Sequence, residues 1–509
     1  MRKIFLTFIL ICSLFLVTSC SKKEVRVIRI YNCVDYIDED VLDEFVTWFA
    51  DRHDGEEIDY IYDTFETPES MYNTLRTGKT TYDLCCPSDY MIQKMIREDR
   101  VDKFDRSKLD IYNEYCSPYI MNLFDEQKVT VNGVEVCWSD YAACYMWGTL
   151  GLIYNPEMLA EQLDLADYDV TSWNDLNRPE FKNMVSLKDS VRDSYCVGAV
   201  LAYQDELKAL DNTDPAYNAL ITDVINRADD ASIELVSNEL RKLKGNIYGL
   251  EVDSGKGDIV TGKIAMNLAW SGDAVYSIDL AEEEDIELRY NVPQEGGNVW
   301  FDGWIMPKGA DKELAEEFVN FLSQPEIAAK NMEYIGYTSS IVGEDIFTLI
   351  DEWYGRAGNE LYVEECEEAL ANATTEKEKE EAQEALDEAI DYRDNVAEYE
   401  TFDLSYFFGD SVDDATIEID TSYIDRQFTT QYPDEETLNR CGVFSDFDFK
   451  EVGRNEKVLE MWINVKANKA SLALIISLCA FVLLAVGFYL YTKRSYFARK
   501  RRLKNSKTK

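Results

Sequence analysis

Val25-Arg26-Val27-Ile28-Arg29-Ile30-Tyr31 alternates as a half-buried strand does, and Val41, Leu42, Phe45, Val46, Trp48 and Phe49 then follow at helical spacing. Residues 58–62 are again strand-like, 70–75 helical, and 82–86 an apolar strand that stops at Pro87. Strand, helix, strand, helix, strand predicts a parallel α/β sheet. Ligands of such sheets bind beyond the carboxyl ends of the strands, which singles out residues 32–38 and 88–90.

Outward from this core, a second α/β stretch runs from about 151 to 276. It holds a helix start at Val170-Thr171-Ser172-Trp173, a strand at 184–187 and an apolar run at 264–270. The chain returns through 299–306 and a helix at 312–322. Two lobes with chain crossings between them make a hinged cleft. The expected division is 20–148 with about 298–343 as one lobe and 149–297 as the other. Residues 344–431 form an acidic, largely helical insertion, because 364–395 is dominated by Glu, Ala and Lys. Residues 432–469 return to the second lobe and lead to a membrane segment.

Both ends point to a membrane. Arg2 and Lys3 precede an uncharged run over 4–17, and then comes Val17-Thr18-Ser19-Cys20, so 1–19 reads as a signal peptide. Small residues before Cys20 resemble the bacterial lipobox, whose cysteine becomes the lipidated first residue. Residues 470–492 carry no charge. As a helix they span about 34 Å, enough for a hydrocarbon core of about 30 Å. The nine Lys or Arg of 493–509, with no acid among them, place that tail in the cytoplasm.

Composition excludes several function classes. The chain has 51 Lys+Arg against 98 Asp+Glu, a formal charge of −47. Without the nine tail cations, Arg2 and Lys3, about −58 falls on residues 4–492. Such a surface repels nucleic acid and favours cationic solutes. The lone histidine, His53, cannot make an HExxH zinc site. No metal, cofactor or catalytic residue is expected. Gly78-Lys79-Thr80 echoes the end of a P-loop, but Asn73 stands where that pattern needs glycine. Nine cysteines lie between the two membrane segments, an odd number with no CxxC, which argues against a disulfide framework.

The motifs at the strand ends carry a family resemblance. They are Tyr31-Asn32-Cys33-Val34-Asp35-Tyr36, Glu69-Ser70-Met71-Tyr72, Tyr82-Asp83-Leu84 with Pro87-Ser88-Asp89-Tyr90, Thr171-Ser172-Trp173, Trp270-Ser271-Gly272-Asp273, Glu295-Gly296-Gly297 with Trp300-Phe301-Asp302, and Ile335-Gly336-Tyr337. In this order over about residues 25–340, with a weaker return at Tyr432-Pro433-Asp434-Glu435-Glu436-Thr437, the chain resembles the bacterial spermidine/putrescine-binding proteins, solute receptors of polyamine ABC transporters. The resemblance implies a two-lobed, type II-like periplasmic-binding-protein fold without catalysis, a polyamine ligand, ABC permease subunits as partners and an extracytoplasmic main domain.

By the same resemblance, Trp270, Trp300, Tyr36, Tyr90 and Tyr337 form an aromatic box and Asp302 is the principal amine-binding carboxylate. Asp273 is similar to an acid of the putrescine-type branch, Asp193 matches the family's glutamate one methylene short, and Ser88 and Asp35 lie in matched segments. A polyamine suits such residues, since aromatic walls hold its methylenes and cations while carboxylates hold its ends. Three positions depart from the pattern: Cys33 replaces a tryptophan, Val34 a polar residue, and Ser190 an aspartate of the spermidine type. Two alternatives stay open, another cationic solute in the same fold, or a surface adhesion or scaffold lipoprotein that has lost its ligand.

Overall fold

The computed structural model describes residues 25–467 except 79, together with the isolated positions 484, 486, 489 and 493. The expected leader at 1–19, Cys20 and, apart from those four positions, the expected span at 470–492 and tail at 493–509 lie outside the described residues. No helix among the described residues is long and apolar enough to cross a membrane. The chain divides into two units, Met1–Val458 and Leu459–Lys509. The fold below is that of the first.

β1 (Arg26–Cys33), α1 (Asp40–Arg52), β2 (Ile58–Phe65), α2 (Pro68–Thr77), β3 (Leu84–Cys85) and α3 (Asp89–Arg97) follow the expected alternation. The helical spacing of α1 buries Val41, Leu42, Phe45 and Phe49 on one face. Thr67 starts α2 with a capping box to Ser70, and Pro68 at the first position has no amide to satisfy. β1 pairs in parallel with β2, from Arg26 opposite Ile58 to Cys33 opposite Phe65, and with β3 at Ile30 and Tyr31.

The centre of the sheet is β4 (Ala142–Tyr154), thirteen residues that are buried without exception. β5 (Val185–Lys188), α4 (Val191–Ala202), β6 (Gly249–Glu251), β7 (Met266–Trp270), α5 (Ser271–Glu282), β8 (Gly297–Pro307), α6 (Lys312–Leu322) and β9 (Thr338–Ser339) complete the site-bearing part. The strand order is β2-β1-β3-β8-β4-β7-β5-β6, with β9 also on β4. β4 and β8 run antiparallel and join two otherwise parallel groups, β2-β1-β3 on one side and β7-β5-β6 on the other. A boundary at 148/149 falls inside β4.

Residues 344–431 begin with α7 (Glu344–Tyr354), α8 (Arg356–Asn372) and α9 (Glu376–Asp391). The last two share a small core of Val363, Cys366, Leu386 and Ala389. A two-stranded ribbon follows, β10 (Tyr399–Asp403) with β11 (Thr416–Asp420). Arg426, just beyond it, reaches Glu282 at the end of α5 at 2.8 Å. β12 (Cys441–Gly442) pairs with the start of β8.

Candidate functional site

The parallel strands deliver their carboxyl ends to one place. Tyr36 follows β1, Ser88 follows β3, Asp193 sits in the first turn of α4 behind β5, and Trp270 ends β7 with Asp273 in the first turn of α5. First-turn carboxylates are favoured by the amino-terminal end of a helix dipole. Trp300 and Asp302 lie within β8, and Tyr337 directly precedes β9.

Asp302 owes its position to an irregular register. Asp302 pairs with Met146 and Gly303 with Cys144, so Tyr145 of β4 is the extra residue of a bulge. Bulges re-aim side chains, and here Asp302 also forms a bridge with Ser88. The Tyr36 hydroxyl donates to Asp302 Oδ2 at 2.8 Å. The Tyr36 ring stands edge-on to Tyr337 at 5.3 Å between centroids, and Tyr337 lies 5.6 Å from Trp300. Trp300 is held by its indole N–H, which donates to the Thr149 carbonyl at 3.1 Å. On the other side the Tyr337 hydroxyl donates to Asp273 Oδ1 at 2.8 Å, and the Trp270 indole donates to Asp193 Oδ1 at 3.4 Å.

Two glycines permit this closeness. A Cβ on Gly148 would stand 2.1 Å from Ser271 Oγ and 2.7 Å from the Trp300 ring, and one on Gly272 would stand 2.2 Å from the Tyr337 ring. Both rings are tied by the hydrogen bonds just described, to the Thr149 carbonyl and to Asp273. We expect Gly272→Ala to displace Tyr337 and weaken ligand binding by about tenfold, in line with overpacking costs of about 1–3 kcal/mol. Titration of the variant checks this, and unchanged affinity would show that Tyr337 is not held for the ligand.

The sequence-predicted residues thus meet in two runs of contact, Ser88–Asp302–Tyr36–Tyr337 with Trp300 and Asp273, and Trp270 with Asp193, and Asp35 alone joins neither. The Tyr90 hydroxyl donates to Glu69 at 3.0 Å, with the charges of Asp193 and Asp89 acting on it as well. Asp35 is exposed and adopts φ +52°, the conformation of a turn, so its carboxylate stands apart from the cluster.

Electrostatically the acids fall into two kinds. Burial pushes Asp302 up to about 6, against the lowering hydrogen bonds from Ser88 and Tyr36, and the charge of Asp193 adds to the rise. Burial also raises Asp193, and raises Asp89 strongly. Neither Asp302 nor Asp193 has a salt bridge among the described residues. For Asp273 burial is opposed and outweighed by Lys188 and Lys256, which hold its carboxyl below the usual range. Burial, with Asp302 nearby, keeps the Cys33 and Cys86 thiols protonated. The nine described cysteines are all free.

Sequence reasoning passed over Lys188 altogether. It ends an ordinary strand, and only the fold brings Glu251 and Asp273 to it, at 3.2 and 3.0 Å. Thr149, whose carbonyl holds Trp300 and whose amide donates to Ser271 Oγ, lies outside every motif.

Comparison with known proteins bears on the chain as a whole. Residues 45–343 match the family described as bacterial extracellular solute-binding protein. The chain is 29% identical over 309 residues to the spermidine/putrescine-binding periplasmic protein of Salmonella typhimurium, covering 60% of this chain and 75% of that protein. It is 30% identical over 319 residues to the putrescine-binding periplasmic protein SpuD of Pseudomonas aeruginosa, covering 61% and 77%. Among solved structures, the substrate-binding protein of a spermidine/putrescine ABC transporter from Streptococcus pneumoniae is 26% identical. It superposes with a TM-score of 0.52, over 87% of this chain and all of that one. The mixed α/β architecture is that of a periplasmic binding protein, and the chain belongs to the bacterial extracellular solute-binding protein family.

Proposed function

We propose that this chain captures a polyamine of the putrescine or spermidine class outside the cytoplasm and presents it to an ABC permease. The observation that carries this reading is Asp302, a carboxylate drawn out of water among aromatic rings with no cation of the protein acting on it, with Asp193 close enough to raise it further and itself raised by burial despite the charges of Lys188 and Arg192. A buried anion is costly until a cation joins it, and an alkyl ammonium supplies that cation with methylenes that suit Trp300, Tyr36 and Tyr337. An anionic solute would find these same carboxylates repelling it. The names of the relatives support the class of ligand.

Closure of two lobes over the amine, hinged where β4 and β8 cross, is the motion this function requires. The scaffold alternative, in which binding has been lost, is disfavoured by the intact Asp302–Tyr36 and Asp273–Tyr337 pairs. The direct test is a thermal-shift panel of putrescine, spermidine and spermine beside amino acids and organic acids. A shift confined to the amines is the expected result, and a shift confined to an anionic solute would overturn the reading. We also expect a lipid anchor at Cys20 and a membrane span at 470–492. Labelled fatty acid incorporated in cells should be lost in Cys20→Ala, and equal labelling of that variant would refute the anchor.

A further inference from the structure

The face of Trp270 already carries a cation. Lys188, whose side chain is 1% exposed, places Nζ 4.5 Å from the centroid of the Trp270 ring. The same ammonium donates to Asp273 Oδ2 at 3.0 Å and to the Val252 carbonyl at 3.1 Å, and lies 3.2 Å from Glu251 Oε1. The other oxygen of Asp273 accepts the Tyr337 hydroxyl and faces Lys256 at 3.8 Å. Asp273 and the Trp270 face, an acid and an aromatic wall of the kind an amine seeks, are therefore both engaged by the chain's own lysine.

Asp302 and Asp193 differ from Asp273 in this respect. Burial opposes their ionisation, and neither is in a salt bridge among the described residues; Asp302 has no cation acting on it, and Lys188 and Arg192 ease Asp193 only by their charge, without outweighing its burial. Asp89 lies in the same neighbourhood, where the charge of the buried Arg192 favours its ionisation and those of Asp302 and Asp193 oppose it. A ligand ammonium that approached Asp273 would compete with Lys188 for one carboxylate and be repelled by it at short range in a medium of low dielectric. Each ammonium enclosed by the protein needs its own carboxylate, because an unpaired buried charge is strongly disfavoured.

We infer that Lys188 is a specificity-determining residue, a built-in ammonium that fills the Asp273–Trp270 subsite and restricts the ligand to a diamine in preference to a triamine. The inference rests on the polyamine reading above and adds to it the number of charges the site accepts. Lys188 need not touch the ligand to act in this way; it acts by occupying Asp273.

The test is titration of the full chain, freed of amines, with putrescine and spermidine, for the native protein, Lys188→Met and Lys188→Arg. The native chain should prefer putrescine by at least about tenfold. Lys188→Met, which keeps the length and removes the charge, should shift the ratio of affinities toward spermidine by at least about tenfold, and Lys188→Arg should restore the native preference. Lys188→Gln takes the place of the methionine variant if that one shows no cooperative melting. Equal or tighter binding of spermidine by the native chain overturns the role of Lys188 whatever the variants do. A ratio unchanged when the charge is removed overturns it as well. Failure of the native chain to bind either amine overturns the polyamine reading itself and this inference with it, so the two failures are distinct.

Discussion

Asp302→Asn weakens putrescine binding by at least about tenfold while leaving the protein folded. The loss is large because an enclosed ammonium and its carboxylate are mutually dependent: truncating one partner of a buried charged pair costs about 2–5 kcal/mol, which corresponds to about thirtyfold or more. The fold survives because asparagine keeps the shape, and its amide oxygen still accepts the Tyr36 hydroxyl that now reaches Asp302 Oδ2 at 2.8 Å. In the amine-free chain the native carboxylate is itself unfavourable at neutral pH, since burial raises its pKa from the ordinary range to about 6. The melting temperature of the ligand-free variant at pH 8 should therefore equal or exceed that of the native chain. Calorimetric titration and a melt together check this. Unchanged affinity would remove Asp302 from the site.

Affinity for putrescine also falls as pH is lowered through about 6, by about tenfold or more between pH 8 and pH 5. An ammonium binds the ionised carboxylates. Asp302 has its midpoint at about 6 in the amine-free chain, and burial moves Asp193 in the same direction. Below that pH a proton must leave before the amine enters, one for each acid that has titrated.

The stability of the amine-free chain moves the other way. Between the unfolded carboxyl pKa of about 3.9 and the folded value, the folded chain holds more protons than the unfolded one. The contribution of these two groups to stability therefore grows as pH falls through about 6 and is least above it. Loss of binding without loss of folding at pH 5, measured by titration beside circular dichroism, separates this effect from acid unfolding. A flat affinity from pH 8 to pH 5 would contradict it.

The parts of the fold legible in the sequence were those with a period. β1 alternates, α1 repeats its apolar face, and Pro87 and Ser172 mark where elements stop and start. β4 has no period to read. All thirteen of its residues are buried, so nothing in its pattern separates a central strand from any other apolar run, and the expected division at 148/149 falls inside it. The ribbon of β10 and β11 is hard to read for another reason, being two short acidic strands whose buried residues, Ile417, Ile419 and Asp420, all lie on β11.

At the site, the aromatic and acidic residues could be named from the motifs because each follows a strand end in a matched segment. The motifs say nothing of how those groups are partnered. The bulge at Asp302, the turn conformation of Asp35, the glycine contacts behind Trp300 and Tyr337, and the lysine on Asp273 are long-range consequences of packing. They appear only when β4, β5, β7 and β8 are brought side by side.

The central claim is that the buried acids and rings at these strand ends hold an amine. Calorimetric titration of the amine-free chain with putrescine, spermidine and spermine at two salt concentrations tests it most directly. Saturable binding of at least one of them, micromolar or tighter and only modestly weakened by salt because the charges are enclosed, is the predicted result. No heat with any of the three, from a sample that melts cooperatively and carries no bound amine, would contradict it.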